Sequence, residues 1–193
     1  MNKLIFISSF LVSSLYSNIG PSGFGPYINR YFVETGTFGG DGAQKALNAG
    51  FSEIRTIEYE MNNYNYSRER FKNRPEVKIW QGSSATGLWD MISDIKEPIT
   101  FWLDAHIYPP LEGVKNCPLI EELEQIKRHP IKTHTILIDD MSCAGTGAFD
   151  SLTKDDLIQK ILEINPDYHV YYIDGGDQGE AKDNIMVAVV NRN

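Results

Sequence analysis

Five acidic residues fall where strand-like runs of this sequence stop: Glu34, Glu58, Asp104, Asp139 and Asp140, with His106 two positions past Asp104. Each follows a run rich in β-branched, aromatic or large aliphatic residues, so each reads as the last residue of a strand. A carboxylate at such a place can accept the hydroxyl hydrogens of a sugar, ligate a hard cation, or satisfy the amides of its own loop. Taken singly, each acid fits the third use. Charge at the edge of an apolar core is costly unless it binds something, so four acidic strand ends on one rim point to a ligand. The imidazole of His106 has an ordinary pKa suited to proton transfer, and it reads equally as a metal ligand or a hydrogen-bonded structural histidine.

The first of these strand ends opens a glycine cluster. Tyr31-Phe-Val-Glu34-Thr-Gly36-Thr37-Phe-Gly39-Gly40-Asp-Gly42 runs into Ala43-Gln-Lys-Ala-Leu47, a strand feeding a tight turn and then a helix. Such a turn lets backbone approach a nucleotide-like ligand. Glu58 lies 22 residues past Gly36, close to the interval at which an acid on the next strand reaches ribose hydroxyls. The glycines do not follow Gly-x-Gly-x-x-Gly, which disfavours a nicotinamide dinucleotide and favours an adenosyl cofactor without pyrophosphate.

The elements that must carry these residues alternate along the chain. Strands are predicted at Tyr31 to Glu34, Ile54 to Ile57, Val77 to Trp80, Ile99 to Leu103, Thr135 to Ile138, Tyr168 to Ile173 and Ile185 to Val190. Helices are predicted at Asp41 to Ala49, ended by Gly50, at Asn63 to Lys72, Thr86 to Ile95 and Leu119 to Lys127, and from an N-cap at Thr153 to Ile164. This alternation predicts an α/β fold, a largely parallel sheet with helices on both faces. The Gly- and Asp-rich segment between the last two strands is too short for a helical crossover, so the seventh strand is expected antiparallel. In such sheets ligands bind at the carboxyl ends of the strands, where the acids stand.

At 193 residues, 41% hydrophobic and 23% charged, the chain has the composition of an ordinary globule, and a formal charge of −8 argues against non-specific nucleic-acid binding. Cys117 and Cys143 have neither zinc-site nor Cys-x-x-Cys spacing and read as free thiols. Residues 1–20 open with a lysine and an apolar run too short to span a membrane comfortably, which reads either as a signal peptide or as an apolar helix or strand packed on the domain. Residues 21–193 then form the expected single domain. A leader implies export, whereas an adenosyl cofactor implies the cytoplasm, and the two expectations stand against each other.

From Tyr31 to Val190 the chain resembles the class I S-adenosylmethionine-dependent methyltransferases, a Rossmann-like seven-stranded fold. Glu34-x-Gly36-x-x-x-Gly40 is similar to the first motif of the cation-dependent catechol and caffeoyl-CoA O-methyltransferases. The likeness continues at Ile57-Glu58, Gly82-Ser83-Ser84, Leu103-Asp104-Ala105-His106 and Ile138-Asp139-Asp140. The resemblance implies that Glu58 holds ribose, that Gly36 and Gly40 line the methionine portion, that Ser83 and Ser84 lie near adenine, and that Glu34, Thr37 and Asp104 are further cofactor-binding positions. It implies a divalent metal, Mg²⁺, at Asp104, Asp139 and Asp140. The metal would lower the pKa of an acceptor hydroxyl on a small molecule or sugar, and methyl transfer would follow by in-line displacement. A lysine commonly stands three positions after the first metal-binding acid in that family, but Ile107 occupies the place here. His106 is the nearest substitute base, so His106 and Asp104 are the candidate catalytic pair. Asp139 and Asp140 can instead serve loop amides.

Smaller features carry less. Residues 107–116, with Pro109, Pro110 and Gly113, read as a lid or as a mobile surface turn. Tyr64 and Tyr66 are expected to pack at the start of the second helix. His129, His134 and His169 read as solvated or structural, without useful spacing to one another. Asp174-Gly-Gly-Asp177 resembles a calcium loop in composition only and fits a hairpin loop.

Overall fold

The computed structural model describes Ile19, residues 23–176 and residues 179–190. The predicted leader, Ile19 apart, and Asp177 lie outside these residues.

Seven strands form one sheet: β1 (Tyr31–Thr35), β2 (Glu53–Glu58), β3 (Val77–Gln81), β4 (Ile99–Leu103), β5 (Thr135–Ile138), β6 (Tyr168–Gly175) and β7 (Ala181–Val190), in the order β3-β2-β1-β4-β5-β7-β6. The pairs β1–β2, β1–β4, β2–β3 and β4–β5 are parallel, and β7 runs antiparallel to both β5 and β6. The order reverses at β1 and β4, so their carboxyl ends flank the crevice where such sheets bind ligands.

Five helices connect the strands: α1 (Asp41–Ala49), α2 (Met61–Arg70), α3 (Ser84–Ile92), α4 (Leu119–Arg128) and α5 (Lys154–Ile164). Side chains alternate across each strand, which divides the core in two. Val33, Phe101, Leu103, Ile136 and Ile138 face the apolar stripes of α3, α4 and α5, among them Leu88, Leu123 and Ile161. Phe32, Ile54, Trp102, Leu137 and Val187 face the opposite way, against Ala43 and Ala46 of α1 together with Phe51, Phe71, Phe24 and Ile19. Helices thus cover both faces. Ile19 is buried and forms an isolated antiparallel bridge with Gly175.

Several boundaries depart from the sequence reading. α2 starts at Met61, two residues earlier than expected, because the Glu60 carboxylate caps it by accepting from Asn62 N (2.7 Å) and Asn63 N (3.0 Å). α3 starts directly at Ser84 and gives way after Ile92. Strands β6 and β7 extend further into their hairpin than their apolar residues indicate, through backbone pairing that continues to Gly175 and Ala181. Gly50 closes α1 at φ 100°, and Thr153 opens α5 with a capping box to Asp156.

Candidate active site

The glycine turn is shaped by its neighbours on the sheet. Gly36 N and Thr37 N both point to Ile57 O, so the chain leaves β1 pressed against β2. Gly36 has φ +82°, and a Cβ there would stand 2.3 Å from the Asp104 carbonyl oxygen, so no other residue fits without moving β4. Gly42 faces the Glu34 carboxylate, whose Oε1 would lie 2.0 Å from a Cβ.

Glu34 is buried beneath this turn. It accepts from Thr56 Oγ1 at 2.7 Å and from the Ala43 backbone, and Thr56 Oγ1 stands 2.6 Å from Thr37 Oγ1. With the Thr56 hydrogen committed to Glu34, Thr37 is the donor in that pair. The side chains of Glu34 and Thr37 therefore brace the turn from below, and what this segment presents to the crevice is backbone. Burial, only partly offset by the Thr56 bond, pushes the Glu34 carboxyl up to about 8.

Glu58 ends β2 with both oxygens engaged: Oε2 accepts from Phe38 N at 2.7 Å and Oε1 from Glu60 N at 2.8 Å. It ties the glycine turn to the start of α2. From outside, Ser67 Oγ donates to Phe38 O at 2.8 Å and Arg70 bridges Gly39 O and Asp41. Each Glu58 oxygen keeps an unused lone pair, so the clamp and hydroxyl binding are compatible.

A cavity of about 380 Å³ opens at the carboxyl ends of β2, β3 and β4. Ile57 and Tyr59, on either side of Glu58, form one wall, with Gly82, Ser83, Ser84 and Ala85 at the mouth of α3. Residues of the β4–α4 connection, Ile107, Leu111, Val114 and Asn116 among them, form the other. This is a mostly apolar slot with two hydroxyls, the usual character of a small-molecule site.

Residues 107–116 form a tied loop. Asn116 O accepts from Ile107 N at 2.8 Å, closing it, while the Asn116 side chain accepts from Leu111 N and donates to Leu111 O and Val114 O. Asp150 anchors the loop in turn by accepting from Asn116 N (3.0 Å) and Cys117 N (2.9 Å). The reading as a mobile surface turn is thereby replaced by a cavity wall held in place through Asn116.

Past β4 and β5 the second chemical corner forms. Asp104, His106 and Asp140 each offer a donor atom within 4.8 Å of the others. His106 Nδ1 stands 3.7 Å from Asp104 Oδ1 and Nε2 3.4 Å from Asp140 Oδ2, and Phe149 packs edge-on to the imidazole at 5.1 Å. Asn184 of β7 donates to Asp140 Oδ1 at 3.0 Å and accepts from Ser142 N, which aims Oδ2 at the histidine. Asp140 sits at φ 55°, a strained position for a residue other than glycine. Burial first, and then the facing carboxylates of Asp139 and Asp140, hold the Asp104 carboxyl well above its ordinary range. Burial lowers the pKa of His106, against the pull of Asp140.

The trio of carboxylates expected to share a metal is thus rearranged. Asp139 is fully buried, its Oδ1 accepts from Asp140 N at 2.8 Å, and its Oδ2 has no hydrogen-bond partner. His106 takes its place in the tightest group. Asp139 serves a loop amide with one oxygen, as the alternative reading of the sequence had it, and leaves the other unused.

Several contributors escaped sequence reasoning. Glu122 of α4 is fully buried near the hydroxyls of Thr35 and Ser84, makes a well-formed hydrogen bond to neither, and is pushed up to about 7 by burial. Its position three residues after Leu119 and four before Ile126 puts it on the apolar stripe of α4, which was the available signal. Asn184 is the last of three polar residues, Lys182-Asp183-Asn184, before the apolar run of β7. Asn116 and Asp150 gave no signal. Tyr66 is exposed and does not pack as expected, whereas Tyr64 is half-buried beneath the Arg68 guanidinium. His129 and His134 are not independent: both are buried, with ring nitrogens 3.1 Å apart.

No protein-family model and no curated protein matches this chain. Solved structures do. An O-methyltransferase from Bacillus cereus in complex with SAH superposes with a TM-score of 0.57 at 19% identity, over 84% of this chain and 74% of that one. The O-methyltransferase TomG from Streptomyces achromogenes, involved in tomaymycin synthesis and solved with SAM, gives 0.57 at 16%, over 84% and 74%. SAH-bound methyltransferase PaMTH1 from Podospora anserina gives 0.56 at 16%, over 84% and 72%. At these identities the likeness speaks to architecture, and together with the strand order it establishes that the chain has the fold of the S-adenosylmethionine-dependent methyltransferases.

Proposed function

We propose that this protein transfers a methyl group from S-adenosylmethionine to a hydroxyl of a small molecule or sugar, assisted by a divalent cation. The observation that carries the reading is the juxtaposition of a preformed apolar slot with the Glu58 clamp on one side of Gly36 and the Asp104–His106–Asp140 corner on the other. Two of the solved structures that share the fold are O-methyltransferases with SAM or SAH bound, which agrees with it.

The residues present fit an adenosyl group. The slot would take the adenine beside Ser83 and Ser84, the spare lone pairs of Glu58 would receive the ribose hydroxyls, and the backbone from Gly36 to Gly40 would face the methionine portion. Glu34 and Thr37 contribute by holding that backbone. They also fit a cation: the orphaned, buried Oδ2 of Asp139 beside Asp104 is a polar atom in need of a partner, and Asp104, Asp139 and Asp140, with His106 beside them, are the residues that would hold the ion. When bound, the cofactor supplies an electrophilic methyl on a sulfonium, and the cation lowers the pKa of the acceptor hydroxyl. The chain itself does the positioning. The tied loop walls the slot, Asn184 fixes Asp140, and the crevice would orient the acceptor oxygen for in-line attack, where geometry supplies much of the rate. No helix among the described residues is long and apolar enough to cross a membrane, and the charge of −8 disfavours a nucleic-acid acceptor.

Titration of labelled S-adenosylmethionine onto the full chain tests this. Saturable binding, displaced by S-adenosylhomocysteine and not by NAD⁺, is expected. Correctly folded protein that binds neither adenosyl compound would remove the reading.

A further inference from the structure

We propose that Glu122 is a positioning residue for the slot: its buried carboxylate takes the hydrogen of the Ser84 hydroxyl, which can then only accept from a ligand, and the slot thereby selects an amino-substituted purine over its keto counterpart. The inference rests on the proposed function for placing a purine in the slot and goes beyond it in naming what the pocket reads on that base.

The position of Glu122 carries the argument. It is fully buried in α4, with neither carboxyl oxygen in a well-formed hydrogen bond. Glu122 N donates to Pro118 O at 3.0 Å, one turn earlier, and Pro118 lines the cavity. Helical side chains lean toward the N-terminus of their helix, which carries this carboxyl toward the cavity end of α4. There it meets the hydroxyls of Ser84 and Thr35. Thr35 Oγ1 already accepts from Asp104 N at 3.3 Å, which leaves its hydrogen for Glu122. Ser84 lines the same cavity as Pro118. Gln125 holds the start of α3 in place: its Nε2 donates to Ser84 O (2.9 Å) and Ala85 O (3.0 Å), and its Oε1 accepts from Trp89 N (2.8 Å). With the Ser84 backbone fixed in this way, the direction of its hydroxyl hydrogen is the remaining freedom.

Glu122 decides that direction. Burial pushes its carboxyl up to about 7, so at about pH 8 it is mostly ionised and can only accept. A serine hydroxyl has one hydrogen, and once that is given to Glu122 only lone pairs are left for the slot. Lone pairs suit the exocyclic amino group of adenine and oppose the keto oxygen that hypoxanthine carries at the same ring position. A serine without the carboxylate could turn to serve either base.

The test titrates S-adenosylhomocysteine and S-inosylhomocysteine onto the full chain by calorimetry at that pH. The unmutated protein is expected to bind the adenosyl compound at least about tenfold more tightly, the scale of a hydrogen bond made in one case and left unmade in the other. Glu122→Gln keeps the side chain's size but can set an NH₂ donor on Ser84 and release the hydroxyl hydrogen to the slot. The preference should then fall about tenfold, through loss of adenosyl affinity with inosyl affinity kept or raised, whereas a purely structural role would weaken both ligands alike. Ser84→Ala should remove the preference to the same extent, and adding Glu122→Gln to it should change the ratio no further, because the coupling runs through that hydroxyl. Equal weakening in Glu122→Gln, an undiminished preference in Ser84→Ala, independent effects of the two substitutions, or no preference in the unmutated protein would overturn the inference. Adenosyl binding with an unchanged ratio in the variants sinks this claim alone. The expected ratios in a protein that transfers no methyl group sink the methyltransferase reading alone, and binding of neither compound removes both.

Discussion

Truncating Glu58 should cost both fold stability and nucleoside affinity, and the two losses can be told apart. The sequence alone leads one to expect a ribose ligand whose removal leaves the fold intact. The structure changes that expectation, because Glu58 already receives two backbone amides, Phe38 N at 2.7 Å and Glu60 N at 2.8 Å. Charge-assisted bonds of this type contribute about 1.5 to 3 kcal/mol each, and at the partly open mouth of a crevice water replaces some of that. Glu58→Ala is therefore expected to lower unfolding free energy by about 2 to 4 kcal/mol, read from urea denaturation with an unchanged slope. If the same carboxylate receives ribose hydroxyls, S-adenosylmethionine affinity should fall a further 10- to 150-fold by calorimetry, the equivalent of about 1.5 to 3 kcal/mol. Glu58→Gln sharpens the comparison, since it keeps one acceptor for the amides but sets an NH₂ donor against the other. Destabilised but folded Glu58→Ala protein that binds the cofactor as well as the unmutated chain would make Glu58 a loop brace and nothing more.

Other consequences follow from single contacts. Gly36→Ala should destabilise by at least about 2 kcal/mol, from left-handed backbone and the collision with Asp104 O, whereas Gly39→Ala, with open space around it, should change the urea midpoint little. Asp150→Gly relieves a φ of 49° yet removes the anchor of Asn116 and Cys117; it should speed amide exchange across residues 107–116 and weaken cofactor binding, and a net gain in stability with unchanged exchange would contradict the role given to that carboxylate. The His129–His134 pair sets a pH dependence. Ile99 N donates to His134 Nδ1, His134 Nε2 meets His129 Nδ1, and His129 Nε2 meets Ile95 O, a chain satisfied only by neutral rings. Burial lowers His134 to about 3. A histidine whose pKa falls on folding contributes stability above its unfolded value near 6.5 that is lost, at up to about 1.4 kcal/mol per pH unit, as pH drops towards the folded value. Glu34, raised to about 8, works in the opposite sense, losing stability as pH rises from about 4.5 towards 8. Subtracting the stability curve of His134→Gln isolates the histidine contribution, which should be flat above pH 7 and steep below 6.5; a flat difference down to pH 5 would refute it.

The sheet was legible in the sequence because strand ends and helix ends are local events. Gly50, Thr153 and the apolar runs of β4 and β5 act within a few residues of themselves, and the seventh strand's direction followed from a loop length. The acids were legible as a set for the same reason. Their orientations were not, because those depend on partners far along the chain: Glu34 on Thr56, Asp140 on Asn184, residues 107–116 on Asp150. His129 and His134 looked unrelated since their contact requires the turn between α4 and β5 to fold the rings together. Glu122 was visible as a charge on an apolar stripe, but helices carry many such charges at their flanks, and only packing reveals which one has no way out.

The rim acids divide by what satisfies them, and the division says where the fold depends on a ligand. Glu58 is held on both oxygens by amides and Glu34 by a hydroxyl and an amide, so the folded chain supports them unaided. Oδ2 of Asp139 has no partner and the Glu122 carboxyl has only the loosely placed hydroxyls of Thr35 and Ser84, both at full burial, and an unsatisfied buried polar group costs about 1 to 3 kcal/mol. That cost lies beneath the slot in one case and beside Asp104 in the other. A ligand that repays part of it on binding stabilises the folded state by the logarithm of its occupancy, about 2.7 kcal/mol at a hundredfold excess over its dissociation constant. The thermal midpoint should therefore climb with metal concentration in the unmutated protein, and Asp139→Asn, which replaces a carboxyl whose ionisation burial and Asp140 oppose with a neutral amide, should start from a higher midpoint without metal and gain less from it. A variant that gains as much as the unmutated chain would place the ion away from Asp139 and leave the buried oxygen without a function.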